Sequence, residues 1–285
     1  GHCMVGGETE TAGVAEVASE IPTVDEAATS AKDAARQKAA LAVLGSFRPI
    51  AHAVLTTPAS ARFGSDDTLL RYLRARDADE EKALTLLKGT IAWREKHIDP
   101  LMSVSGEGSL LQCPSCCVQC KVDPRSHCFF SVGKDTHGRP VVYSCAGRAA
   151  NKVVEDNMIH MAVELERLFD GNSAPGKYVW VIDFNGFGMR DCNPRMATTA
   201  IPMFADQYPE RMGQIVLINP PAAFQILWRA VKPILDPVTK EKIVLLRGQK
   251  AIAQYSETHW RHDPAMAAWL DAAVFSTRGT PGSFP

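Results

Sequence analysis

Four of the chain's eight cysteines fall within eight residues, in the stretch "CPSCCVQC" from Cys113 to Cys120. They form two Cys-x-x-Cys knuckles, Cys113/Cys116 and Cys117/Cys120, with nothing between them. That pattern could serve zinc binding or thiol redox chemistry. Zinc knuckles usually come from segments ~12 or more residues apart, so that two can converge on one ion. Abutting knuckles need a tight loop, with His127 and Cys128 as nearby additional donors. The stretch therefore reads first as reduced cysteines on a surface loop, with no metal assigned; zinc and redox chemistry stand as the competing readings. His259 and His262 make an H-x-x-H without a third convergent ligand and read as surface residues. His160, on an amphipathic helix, reads as a boundary residue.

Other enzyme signatures are missing. There is no phosphate-binding G-x-x-x-x-G-K-[ST], no G-x-S-x-G and no H-E-x-x-H. "VIDFNGFGMR" places Gly186 and Gly188 after an apolar run, but Asp191 stands where a dinucleotide turn needs its third glycine. The segment "PAAFQILWRAVKPILDP" offers apolar volume instead. Phe224, Leu227, Trp228, Val231, Ile234 and Leu235 form a wide apolar arc between Pro220-Pro221 and Asp236-Pro237. It is either a helix lying flat on a sheet or a cover that swings between two hinges.

These residues need a scaffold. At 285 residues and 46% hydrophobic, the chain can bury one large core or two modest ones. A net charge of -1 argues against nucleic acid as a partner. No apolar run reaches the roughly 18 residues that span a bilayer, and a polar, acidic start does not read as a signal peptide. The chain is expected to be cytoplasmic. Gly1 to Cys3, ahead of Met4, read as an expression remnant, and residues 1–36 as a disordered tail.

From Lys38 the pattern is helical, with breaks expected near Gly45 and Pro49. Ser65 and Asp79 are candidate N-caps of two further helices; Leu69, Tyr72, Leu73 and Arg76 share a face of the first, and Ala83, Leu84, Leu87 and Ile91 of the second. Residues 101–126 read as a Cys-rich loop. "HCFFSVGKDTHGRPVVYS" reads as a strand pair around His137-Gly138. Three apolar runs, "KYVWVIDF", "QIVLINPP" and "KIVLLRG", alternate with helical patterns, which predicts a mainly parallel sheet. The fold class is α/β, with a helical module over 37–100, a sheet domain over 127–250, and a C-terminal helix and tail over 251–285. That last segment includes a helix from Pro264 to Phe275 whose packing partner is not readable.

Three stretches, "DDTLLRYLRARDADEEKALTLLKGTIAWR", "HGRPVVY" and "YPERMGQIVLINPPAAFQILWRAVKPILDPVTKEKIVLL", resemble the CRAL-TRIO lipid-transfer family from about Lys38 to Arg247. The resemblance implies a helical N-terminal module before a parallel-sheet lipid pocket, with residues 222–235 as the gate. It implies ligand exchange at a transient membrane contact rather than catalysis, and no cofactor beyond the bound phospholipid. The family's phosphatidylinositol/phosphatidylcholine transfer proteins hold the inositol phosphate with positions that match Arg76, Asp135, Glu210, Thr239 and Lys242. Asp77 departs from the family's lysine. Tyr178 and Trp180 stand where phosphatidylcholine binders carry hydroxyl residues, and Val142 replaces a pocket tyrosine. The resemblance implies phosphatidylinositol as ligand. A carrier or sensor of another hydrophobe, such as a sterol, tocopherol or isoprenoid, acting as a regulatory module is the alternative.

Overall fold

Alternation along the strands puts an apolar layer on both faces of one sheet, and the helices sort themselves onto those faces. The computed structural model describes residues 26–102, 117–123, 125–172 and 176–275. Its five strands are β1 (Phe129–Lys134), β2 (Pro140–Ser144), β3 (Tyr178–Asp183), β4 (Met212–Ile218) and β5 (Ile243–Leu246), in spatial order β1-β2-β3-β4-β5. The β1–β2 pair is antiparallel; every later pairing is parallel. Parallel neighbours need long crossovers, supplied here by helices.

The N-terminal module is built from α1 (Glu26–His52), α2 (Asp66–Arg74) and α3 (Glu80–His97). α1 runs unbroken through Gly45 and Pro49, against the expected breaks, and it begins well before Lys38. The clash of an in-helix proline falls on the carbonyl four residues back, which here belongs to Gly45. Pro49 also lies in the last turn, where little helix remains to distort. The other two helices start at the expected caps: the Ser65 side chain accepts from Thr68 N–H, and Asp79 Oδ1 accepts from Lys82 N–H at 3.0 Å. Leu44, Phe47, Phe63, Leu69, Tyr72, Leu73 and Leu87 close the module's own core. Two buried polar ties dock it. Arg94 donates to both oxygens of Glu166 at 2.5 and 2.8 Å, and Thr90 Oγ1 donates to the Asp206 carbonyl at 2.8 Å.

Four more helices connect and cover the strands. The short α4 (Val118–Val122) precedes β1, and α5 (Val154–Leu168), α6 (Pro194–Gln207) and α7 (Phe224–Val231) bridge successive strands. α8 (Gly248–His259) and α9 (Pro264–Phe275) follow β5. One sheet face, with Val141, Tyr143, Val179, Val181, Val216 and Ile218, packs against Ile252, Tyr255, Trp260, Met266 and Leu270. So the C-terminal segment covers one side of the sheet. The opposite face, carrying Val142, Tyr178, Trp180, Ile182, Ile215 and Leu217, meets α5, α6 and α7. The loop with Gly186 does packing work instead of binding phosphate. A side chain at Gly147 would stand 2.5 Å from the Asn185 carbonyl, so only glycine lets the two backbones approach.

Candidate functional site

A cavity of about 230 Å³ lies between the second sheet face and α5, α6 and α7. Trp180 and Ile182 on β3, Ile215 and Leu217 on β4, and Ile243 on β5 form its floor. Period-two alternation of the strands aims these side chains the same way. α7 forms the roof through Phe224, Leu227, Trp228 and Val231, and Leu235 extends it. Phe224 and Trp228 are almost fully buried, and the Phe184 and Phe224 rings meet edge-on at 4.9 Å. The outer side of the same roof exposes Ile226 and Ile234, each 44% accessible.

Polar groups at the cavity are few. Trp180 Nε1–H donates to Ser144 Oγ at 2.8 Å. Asp183 accepts from the Tyr143 hydroxyl at 2.6 Å and from Asn185 N–H at 2.9 Å. Burial pushes the Asp183 carboxyl up to about 6, against these bonds and Arg148, which pull it down. Lys152 and Asp191 pair at 2.9 Å on the cavity wall.

The expected pocket residues divide. Trp180, Phe224, Leu227, Trp228 and Val231 line the cavity. Tyr178 lies on the same sheet face but packs on Phe169 in the neighbouring core, and its buried hydroxyl has no hydrogen-bond partner among the described residues. Ile234 points outward, because the chain turns after α7 and gives the inward position to Leu235.

Two of the expected headgroup residues lie elsewhere, at the starts of strands. Glu210 precedes β4 and Lys242 precedes β5, and each charge acts on the other. Glu210 is paired with Arg36 at 2.7 Å and with Arg74 at 3.9 Å. It adopts φ +60, a conformation costly for a residue with a Cβ. Lys242 is buried and donates to the Met212 carbonyl at 3.2 Å; burial lowers its pKa. Lys177, just before β3, pairs with Asp33 at 2.7 Å. The N-terminal helix thus supplies Asp33 and Arg36 to a cluster that sequence matching had drawn without them.

The remaining three are not in this cluster. Arg76 donates to Asp206 Oδ1 at 3.2 Å on the rim of a separate cleft. Thr239 donates to Asp236 Oδ2 at 2.5 Å, within a helix cap. Asp135 accepts from the backbone of His137 and Arg139 and from the Arg139 guanidinium, closing the β1–β2 turn. Asp77, the odd residue beside Arg76, is exposed at φ +50 and stands 3.8 Å from Arg36.

The cysteine-rich stretch also sorts differently from its reading as a loop. Cys113 and Cys116 lie outside the described residues. Cys117 and Cys120 are buried beside His127 and His160, so His160 is no boundary residue. Cys128 sits in the sheet core instead, where burial raises its thiol well above the usual range. His259 stacks on Tyr255 and is in no group of three or more converging metal-ligating side chains among the described residues.

A small, mostly apolar cavity roofed by one amphipathic helix defines an α/β domain built around an enclosed apolar pocket. Comparison with known proteins places it more narrowly. The sequence model of the CRAL/TRIO domain matches residues 125–259, and that of the CRAL/TRIO N-terminal domain matches residues 57–89. The chain belongs to the CRAL-TRIO family, whose members bind and transfer lipids. It is 30% identical to Patellin-2 of Arabidopsis thaliana over 64% of this chain and 27% of that protein. It is 29% identical to the CRAL-TRIO domain-containing protein C3H8.02 of Schizosaccharomyces pombe, over 67% of this chain and 43% of that one. A third relative, the phosphatidylinositol/phosphatidylcholine transfer protein SFH7 of Arabidopsis thaliana, is 26% identical over 62% of this chain and 34% of its own. The chain therefore spans less than half the length of these curated relatives. The crystal structure of Sfh5 superposes with a TM-score of 0.50 at 17% identity, covering 68% of each chain, and supports the fold.

Proposed function

We propose that the chain carries one phospholipid, phosphatidylinositol, and exchanges it at membrane surfaces without catalysing a reaction. The observation that carries this reading is the roofed cavity. Its walls are mostly apolar, and its roof helix is bounded by Pro220-Pro221 and by Asp236-Pro237. At about 230 Å³ it falls below the roughly 300–1,000 Å³ usual for ligand sites. Two acyl chains fit only if α7 swings outward, so loading and opening are one event. Each methylene then buried stabilises the complex by about 0.8 kcal/mol.

Phosphatidylinositol is favoured by the charged cluster. Arg36, Arg74, Lys177 and Lys242 surround Glu210, which suits a phosphate diester beside sugar hydroxyls. Glu210 is held in a costly backbone conformation, the kind of strain that gathers at binding sites. Headgroup entry would exchange the Arg36–Glu210 contact for phosphate and hydroxyl contacts. The relative SFH7 is named for transferring this lipid. On this reading the protein acts peripherally, from the cytoplasm. Among the described residues no helix is long and apolar enough to cross a membrane.

One observation favours a second reading. None of Arg76, Asp135, Glu210, Thr239 or Lys242 lines the cavity. A compact hydrophobe with a single polar group, held near Ser144 and Asp183, would fill it without using the charged cluster. Mass spectrometry of lipid extracted from the purified protein decides between the two. Phosphatidylinositol is expected, together with its transfer between vesicles, and Glu210→Gln with Lys242→Ala should reduce both about tenfold or more, as for loss of charged hydrogen bonds. A sterol or isoprenoid alone in the extract would establish the second reading.

A further inference from the structure

We propose that Cys117, Cys120, His127 and His160 bind one zinc ion, which fastens the segment ahead of β1 onto helix α5. One ligand atom from each of the four residues lies within 4.8 Å of all the others, and all four residues are buried. Cys117 Sγ and Cys120 Sγ each stand 3.4 Å from His127 Nδ1, and Cys120 Sγ stands 3.5 Å from His160 Nδ1. Around tetrahedral zinc, with bonds of about 2.3 Å to sulfur and about 2.0–2.1 Å to nitrogen, sulfur and nitrogen ligands stand about 3.5 Å apart. The three sulfur–nitrogen distances match that spacing, and the fourfold cluster is tight enough to close around one ion.

Local structure explains the convergence. Cys117 starts the short helix α4, and Cys120 lies one turn on, so both sulfurs face the same way. The chain then returns through His127 immediately before β1. His160 arrives from the middle of α5, on the neighbouring layer.

Both rings are poised as ligands. His160 Nε2 lies 2.7 Å from the Phe129 carbonyl, which can only accept. The ring proton is therefore assigned to Nε2, and Nδ1 turns its lone pair to the sulfurs. Metal-bound histidines are characteristically fixed in this way. His127 Nε2 is buried without a hydrogen-bond partner among the described residues, whose polar contacts with that ring are made by the two sulfurs at Nδ1.

The chemistry selects the ion. Two thiolates and two imidazoles suit zinc and repel calcium or magnesium, which require oxygen. Zn2+ is held by the thiolate form of both cysteines, so any proton still on sulfur leaves to solvent as the ion binds. The product, one dication with two thiolates and two neutral imidazoles, carries no net charge and tolerates burial. A Cys117–Cys120 disulfide would instead leave both Nδ1 atoms facing sulfur that can neither donate a proton nor bind them.

The bound ion would brace the cavity from behind. His160 lies on α5 between Asn157 and Met161, both of which line the cavity. The Phe129 ring meets His160 at 6.5 Å and Trp180, on the cavity floor, at 5.6 Å. The site does not depend on which lipid the cavity takes.

The test measures metal in the full chain, purified without chelator and dialysed. Elemental analysis should give one zinc per chain. Cobalt(II) in its place should show the intense visible absorption of a tetrahedral sulfur–nitrogen site, and reloading stripped protein with zinc should release protons to solvent. Cys120→Ser and His160→Gln should each lose the metal, whereas Cys192→Ser, Cys113→Ser and Cys116→Ser should keep it. If the ligand variants do not fold, cobalt and proton release in the unmutated protein still decide. Metal-free protein that takes up no zinc or cobalt, a Cys117–Cys120 disulfide found by peptide mapping, or loss of zinc with Cys113→Ser or Cys116→Ser would each overturn the assignment.

Discussion

If α7 is the element that meets the bilayer, its outward isoleucines are where that contact is made. Ile226 and Ile234 are each 44% exposed and flanked by the exposed cations Arg229 and Lys232. Fully burying an isoleucine side chain stabilises by about 1.5–3 kcal/mol. The exposed share is then worth about 0.7–1.3 kcal/mol each, or about 1.3–2.6 kcal/mol for the pair. Replacing both with glutamate removes that gain and adds repulsion from anionic lipid. At about 1.4 kcal/mol per tenfold, the double variant Ile226→Glu/Ile234→Glu should transfer lipid roughly 10–80 times more slowly. Stability should hardly change, because substitutions on an exposed surface usually stay within about 0.5 kcal/mol. The assay follows labelled phosphatidylinositol leaving phosphatidylcholine/phosphatidylserine vesicles for unlabelled acceptors, with thermal melting run in parallel. Transfer at the unmutated rate with an unchanged melting temperature would refute the argument that α7 contacts the membrane. Melting that falls in step with transfer would refute the claim that these side chains are free of the core.

Two further outcomes follow from buried charge. The Asp183 carboxyl is raised from 3.8 to about 6 in the folded protein, so folding favours its protonated form. Its contribution to stability is complete below about pH 4 and is lost as pH rises through about 6, by up to about 3 kcal/mol. Asp183→Asn should flatten stability between pH 4 and 6 and raise it at pH 7; urea unfolding across that range with an unchanged slope would count against the assignment. Glu166 accepts from Arg94 and from the Tyr208 hydroxyl at 2.9 Å, where the helical module meets the sheet domain. Glu166→Gln strands a buried guanidinium, with Asp99 at 3.6 Å and the Phe63 ring left to compensate in part, and should cost about 3 kcal/mol in urea unfolding. Adding Arg94→Met should recover part of that loss, and a double variant no more stable than the single one would contradict it.

Much of the fold was legible because its signals are local. Ser65 and Asp79 cap the helices they were expected to cap, and Pro264 to Phe275 is helical over the expected span. Continuous apolar runs became buried parallel strands. α8 escaped notice because only Ile252 and Tyr255 of its twelve residues are buried, too few to print a helical period. Five of the seven expected pocket residues line the cavity for the same local reason. The side on which Trp180, Phe224 and Trp228 lie follows from period, whereas Ile234 turned outward at a chain reversal that periodicity does not encode.

Sites assembled from distant segments were harder to read, and the charged cluster and the Cys/His cluster fail in opposite directions. For the headgroup set, matching supplied five residues; Glu210 and Lys242 share a cluster, while Arg76, Asp135 and Thr239 bond closer partners. The cations beside Glu210 came instead from Arg36 and Arg74, one of them on a helix read only as a tail. For the cysteines, the sequence offered His127 as a nearby donor but no sign of His160. A tetrahedral site needs four donors at one point, and two of them come from His127 and from a residue forty positions beyond Cys120. Spacing rules see a knuckle only when both halves sit on the same stretch of chain. Here the second half is completed by α5 packing beside β1, so the site exists only once the sheet has formed. That order has a consequence for folding: an ion bound at Cys117 and Cys120 gains its last ligand with tertiary structure, and zinc should therefore stabilise the native state far more than the unfolded chain.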